Sequence, residues 1–204
     1  MIGVIDYGLG NIKSFLNVFD RLNIASKVIK INSDFENVTK LILPGVGAFD
    51  YAMSQLNNSG LRERLEKSVR IENIPVLGIC VGMQMLANSS DEGVLPGLGW
   101  IDGKVKKIDT NNIFHKTKIP HMGWNNTCSL KDNILMRGFN DSSIFYFLHS
   151  YYFECDNDIN SIASTFYGKK FTCAVNDKNV YGVQFHPEKS HQNGINLLNN
   201  FSLI

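Results

Sequence analysis

Pro75-Val-Leu-Gly78-Ile79-Cys80-Val81-Gly82-Met83-Gln84 carries an uncharged apolar run into G-x-C-x-G and on into the helical residues Met83-Gln-Met-Leu-Ala87. A buried-type strand that passes directly into a helix through glycines makes a tight turn with its central side chain held at the bend. The glycines matter because such a bend strains the central residue, and its neighbours must pack without a Cβ. Upstream, Ile2–Ile5 predicts a strand closed by the Gly-rich stretch 6–10. Residues 11–22 place Ile12, Phe15, Leu16, Phe19 and Leu22 at helical spacing. Lys27–Ile31 and Lys40–Leu43 read as further strands, the latter stopped by Pro44-Gly-Val-Gly47. Phe49–Arg70 reads as helix, broken near Asn57-Asn-Ser-Gly60. Strand and helix in alternation predict right-handed crossovers and a mainly parallel sheet.

Downstream the pattern changes. Trp100–Ile108, Ser143–Phe153, Ser161–Phe166, Phe171–Val175 and Val180–Phe185 are strand-like, with turn-rich stretches between them. They predict antiparallel additions to the same sheet, closed by a helix over Gly194–Phe201. There is no internal repeat and no Pro/Ser linker, so residues 1–204 read as one domain.

Composition narrows the function. The chain has 204 residues, 44% of them hydrophobic and 19% charged, within the range of ordinary globular proteins. Twenty Lys and Arg against nineteen Asp and Glu leave a charge of +1, which offers nucleic acid or an acidic membrane no general attraction. Met1–Asp6 meets a charge early and lacks a basic leader, unlike a signal or transit peptide. No apolar run approaches the ~20 residues of a bilayer span. Cys80, Cys128, Cys155 and Cys173 form no C-x-x-C pair, so free thiols and a reducing, cytoplasmic setting are expected.

Cys80 is the first candidate for chemistry. At a helix start, unpaired N–H groups favour the thiolate, and the Val81 N–H is placed for a developing oxyanion. Cys80 also reads as a small buried hydrophobe, as many free cysteines are. A thiol nucleophile needs a base, and the base an orienting group. Tyr181-Gly-Val-Gln-Phe185-His186-Pro187-Glu188 supplies both, with an apolar strand expected to end at His186 and Glu188 two residues on. Alone, H-x-E also reads as a surface ion pair or as two metal ligands, although no third ligand stands at a usual spacing. His121 and His149, each beside aromatics, read as hydrogen-bonded structural histidines. His115 and His191 carry no signal. Gly8-Leu-Gly10-Asn-Ile-Lys13 lacks the third glycine of a dinucleotide fingerprint, and Pro44–Gly47 lacks a following G-K-[ST]. The latter suits a turn that lends N–H groups to an anionic centre.

Taken together, the motifs resemble the class I, triad-type glutamine amidotransferases nearly end to end. The resemblance rests on Ile5-Asp-Tyr-Gly-Leu-Gly-Asn11, Leu43-Pro-Gly-Val-Gly-Ala-Phe49, Leu77–Gln84, Ser90-Asp-Glu-Gly93, Gly97-Leu-Gly-Trp100, Pro120-His-Met-Gly-Trp-Asn125, His149-Ser-Tyr-Tyr152 and Gln184-Phe-His-Pro-Glu-Lys-Ser190. It implies a flavodoxin-like three-layer α/β/α domain, L-glutamine as substrate and no cofactor or metal. Cys80 is then the nucleophile, His186 the base and acid, and Glu188 the orienting carboxylate. The oxyanion is met by Val81 and by Val46–Gly47, while Gln84, Glu92 and the His149-Ser150-Tyr151 backbone hold glutamine. Glu92 suits the substrate's α-ammonium. The Y-G-x-G-N and P-H-M-G-W-N segments resemble the branch that docks on a (β/α)8 cyclase as a heterodimer. Asn11, Met122 and Trp124 would face that partner, and the chain alone would be a poor glutaminase. Val81 replaces a more usual Leu. The stretches 11–19, 55–60 and 190–194 resemble paralogues that feed ammonia to a sugar amidotransferase in surface-polysaccharide synthesis. A regulatory domain that has lost catalysis is opposed by the intact Cys80, His186 and Glu188, and a cysteine peptidase of the same fold by Gln84 and Glu92.

Overall fold

A computed structural model describes residues 1–114 and 117–204; His115 lies outside them. The first half forms β1 (Ile2–Ile5), α1 (Ile12–Arg21), β2 (Ser26–Ile29), β3 (Lys40–Gly45), α2 (Phe49–Asn58), α3 (Arg62–Arg70), β4 (Val76–Cys80) and the single-turn α4 (Val81–Gln84). The second half forms β5 (Ser89–Ser90), β6 (Gly103–Lys107), β7 (His121–Asn126), β8 (Cys128–Ser129), β9 (Ile144–His149), β10 (Tyr151–Cys155), β11 (Ser161–Tyr167), β12 (Lys169–Asp177), β13 (Val180–Val183) and α5 (His191–Ser202).

The main sheet runs β2-β1-β3-β4-β13-β12-β10-β6-β5, with β11 beside β12 and β8 beside β11. β2, β1, β3, β4 and β13 are mutually parallel, and β12, β10 and β6 continue antiparallel. From β1 the chain steps one way to β2 and from β3 the other way to β4. Right-handed crossovers therefore put α1 on one face and α2–α3 on the opposite one. The mixed, mainly parallel flavodoxin-like α/β/α architecture is as expected. Such sheets hold ligands at the carboxyl ends of their strands, near the reversal of strand order. Central strands covered on both faces need apolar residues throughout. Val4, Ile5, Leu41, Ile42, Leu43, Val76 and Leu77 are accordingly without solvent contact. Among the described residues no helix is long and apolar enough to cross a membrane.

Three local expectations need correction. First, Ser143–Phe153 is not one strand: it breaks at Ser150. β9 leaves the main sheet and pairs antiparallel with β7 in a separate two-stranded ribbon, while β10 stays in the main sheet. The corner is held by local bonds, since the Ser150 carbonyl accepts from Ile108 N at 3.0 Å and the Tyr151 carbonyl from His149 Nδ1 at 2.7 Å. Second, β3 passes through Pro44 to Gly45, register partner of Cys80; the Pro44 carbonyl takes the Tyr7 hydroxyl at 2.6 Å. Third, β13 ends at Val183. His186 stands three residues beyond it, and its N–H bonds to the Tyr146 carbonyl of β9 at 2.9 Å.

Candidate active site

Cys80 adopts φ 55°, ψ −113°, in the positive-φ region that side chains rarely occupy. The surrounding chain enforces it. A Cβ on Gly82 would lie 2.0 Å from the Leu43 carbonyl oxygen, and one on Gly78 would lie 2.6 Å from the Gly82 carbonyl oxygen. β3, β4 and α4 thus interlock through positions that accept only hydrogen. α4 is one turn long, so its contribution to the site is free N–H groups rather than a long helix dipole. The thiol lies 3.8 Å from the Leu148 carbonyl and 3.8 Å from Gln184 Nε2.

His186 and Glu188 are both buried, with His186 Nδ1 donating to Glu188 Oε1 at 2.9 Å. A carboxylate only accepts, so that bond fixes the Nδ1–H tautomer and leaves Nε2 for the thiol. Burial alone lowers the imidazole's pKa. Hydrogen bonds with Cys80 and Glu188, and their charges, outweigh burial and push it up to about 9. The segment is pinned by Ser190, whose hydroxyl donates to the His186 carbonyl at 2.6 Å and accepts from Tyr146 N at 2.9 Å.

Cys80 and His186 open onto a cavity of about 240 Å³, the size of a small metabolite rather than of a nucleotide cofactor. Val46, Gly47 and Val81 line one side, with Gly47 at φ 86°. Gln84, Glu92, His149, Ser150 and Tyr151 line the remainder. Gln84 is buried, and its Nε2 donates to the Tyr151 carbonyl and to Gln184 Oε1, both at 3.0 Å. Glu92 Oε2 accepts from Phe49 N at 2.9 Å.

His149 and His121 form a directional chain. His149 Nδ1 must donate to the Tyr151 carbonyl, so its Nε2 accepts from His121 Nδ1 at 3.0 Å. His121 Nε2 then accepts from Asn125 Nδ2 at 3.1 Å. Burial holds His121 down at about 4; burial first, then His121, hold His149 down at about 3. Both rings are buried and hydrogen-bonded, and burial disfavours their charged forms. Met122 and Trp124 are exposed on the same ribbon, Trp124 stacking on His191 at 5.0 Å, whereas Asn11 is exposed on another element at the head of α1.

Sequence reasoning passed over several cavity neighbours. Tyr7, whose phenol burial and then Cys80 push well up, stays a hydroxyl donor to Pro44. Gln184 touches both Cys80 and Gln84, although only its place beside His186 marked it. Pro120, Leu148 and Lys189 complete the wall. The other cysteines are free, with burial holding Cys155 up at about 12.

The fold and this constellation match one class of protein: the chain belongs to the glutamine amidotransferase class-I family, whose model matches residues 3–204. It is 55% identical to the imidazole glycerol phosphate synthase subunit HisH of Bdellovibrio bacteriovorus, with all of both chains covered. It is 50% identical to HisH of Leptospira interrogans over the full length of both, and 47% identical to HisH 2 of Pseudomonas aeruginosa over 98% of each. In fold it is similar to a crystal structure of a glutamine amidotransferase at TM-score 0.73 and 18% identity, covering 98% of each chain. The structure of PurLQS from Thermotoga maritima gives TM-score 0.73 at 14% identity, covering 99% of this chain and 97% of that one.

Proposed function

We propose that the chain is the glutaminase subunit of an imidazole glycerol phosphate synthase. It hydrolyses glutamine to glutamate and ammonia for a (β/α)8 cyclase partner in histidine biosynthesis. The observation that carries this is Cys80, held in a strained bend and lining one cavity with His186, whose ring is held by Glu188.

The chemistry follows from that arrangement. Cys80 sulfur, its proton taken by His186, attacks the glutamine side-chain amide carbon, and the carbonyl electron pair moves to oxygen. N–H groups of Val81 and of the Val46–Gly47 turn meet the oxyanion. His186 returns the proton to the leaving nitrogen, the C–N bond breaks, and ammonia departs, leaving a γ-glutamyl thioester. His186 then takes a proton from water as its oxygen attacks the thioester. The C–S bond breaks, glutamate leaves and Cys80 is restored. Glu188 keeps the imidazole oriented and stabilises its charged form. Glu92 meets the α-ammonium, while Gln84 and the 149–151 backbone shape the cavity around the rest of glutamine. The exposed Met122 and Trp124, together with Asn11, face the partner, which consumes the ammonia without releasing it to bulk water.

Cys80→Ala with the cyclase present is expected to abolish glutamate release while leaving synthesis from added ammonium salts intact. Retained glutaminase activity would refute the nucleophile. Glutamine turnover measured with the cyclase and, separately, with a sugar amidotransferase separates the histidine-pathway reading from the polysaccharide paralogue: only the true partner stimulates.

A further inference from the structure

Glu92 lies on a short loop whose Val94 side chain is 93% exposed, while Leu95 packs against the core. Backbone bonds hold the loop at both ends. On one side Asp91 N donates to the Val105 carbonyl of β6 at 2.8 Å. On the other, the carboxylate of Asp50, in the first turn of α2, accepts from Val94 N through Oδ2 at 2.9 Å and from Leu95 N through Oδ1 at 3.0 Å. The tie is reciprocal: Glu92 Oε2 accepts the free N–H of Phe49, a helix start that its own N-cap residue, Ala48, does not satisfy. Gly93 sits where any side chain would break it, because a Cβ there would lie 1.9 Å from Asp50 Oδ1.

We propose that Asp50 is a positioning residue that sets Glu92 at the cavity and so fixes selectivity for a substrate bearing an α-ammonium group. The inference rests on the reading of Glu92 as the ammonium's partner. Two N–H bonds to one carboxylate fix the loop's direction, and the Phe49–Glu92 bond aims the remaining lone pairs of Glu92 at the cavity it lines. Phe49 begins the helix two residues after Gly47, so the turn assigned to the oxyanion and the group assigned to the ammonium are joined through one carboxylate.

The test measures ammonia release by the complex with its synthase partner on two substrates: glutamine, and glutaramate, which has hydrogen in place of the α-ammonium. Asp50→Ala is expected to lower kcat/KM for glutamine at least about tenfold, mostly through KM, and to leave glutaramate within about twofold. The preference for glutamine then collapses. Gly93→Ala, which drives a methyl group into the same carboxylate, is expected to do likewise and stands in should Asp50→Ala fold poorly. Equal losses on both substrates, or an undiminished preference in both variants, would overturn the role of Asp50. Glu92→Gln checks the underlying reading separately. If it retains the full preference for glutamine, Glu92 does not meet the ammonium and the proposal fails with it.

Discussion

His186 receives opposing influences: burial lowers its pKa, and Cys80 and Glu188 more than restore it, to about 9. Glu188→Gln removes a charge and keeps the shape. NMR titration is expected to show the His186 pKa falling, together with a loss of roughly 10²–10⁴ in kcat and a glutamine Kd that barely changes. A large rise in Kd with normal turnover would contradict the orienting role of Glu188. At this scale the sequence is informative where chemistry is local. G-x-C-x-G declares its own bend, and His186 and Glu188 are two residues apart. Gln184 is not legible because its partners, Cys80 and Gln84, are 104 and 100 residues away. Glu92 reads as a substrate ligand, but its second attachment to Phe49 spans 43 residues and nothing local marks it.

Among the elements, β3, β4 and α4 show what close approach demands. Gly82→Ala puts a methyl group 2.0 Å from the Leu43 carbonyl, and is expected to cost about 3 kcal/mol or more, read as a lower urea midpoint at unchanged slope. The parallel half is readable because its buried strands are short apolar runs with glycine or proline at their ends. The ribbon is not. His121–Asn126 is too polar to look like a strand, and Ser143–Phe153 is apolar enough to look like one continuous strand. What divides it at Ser150 is the bonding of the corner to Ile108 and His149, which only the assembled chain supplies. Phe185 joins ribbon and sheet, stacking on Phe145 at 4.1 Å and meeting Phe147 at 5.5 Å. Phe185→Ala is expected to cost about 3–5 kcal/mol and, one residue from His186, to lower turnover as well.

For the whole molecule, the histidines set the pH range of stability. His121 and His149, at about 4 and about 3, lie below the unfolded value near 6.5, so the unfolded chain binds more protons there. Their contribution is lost as pH falls from about 6.5, towards 4 for His121 and towards 3 for His149. His186, raised to about 9, works the other way: its contribution is complete below about 6.5 and is lost as pH rises towards 9. Urea titrations from pH 4 to 9 are expected to place the maximum near pH 6.5. His121→Phe, which keeps a flat ring between Phe147 and Tyr167, should flatten the acid limb, and His186→Ala the alkaline one.

The β7–β9 ribbon is only two strands wide. Neighbouring residues on it, His121 and Met122, have opposite surroundings: one ring lies in a dry relay ending at the Tyr151 carbonyl, and the other side chain is 65% open to solvent. A push on the outer surface therefore has almost no thickness of protein in which to dissipate. Displacing Met122 by an ångström would shift its neighbour His121 along the same backbone, and with it the relay that ends at the Tyr151 carbonyl on the cavity wall. On the proposed function, a partner seated on Met122 and the wall of the glutamine cavity would then share one thin layer of protein.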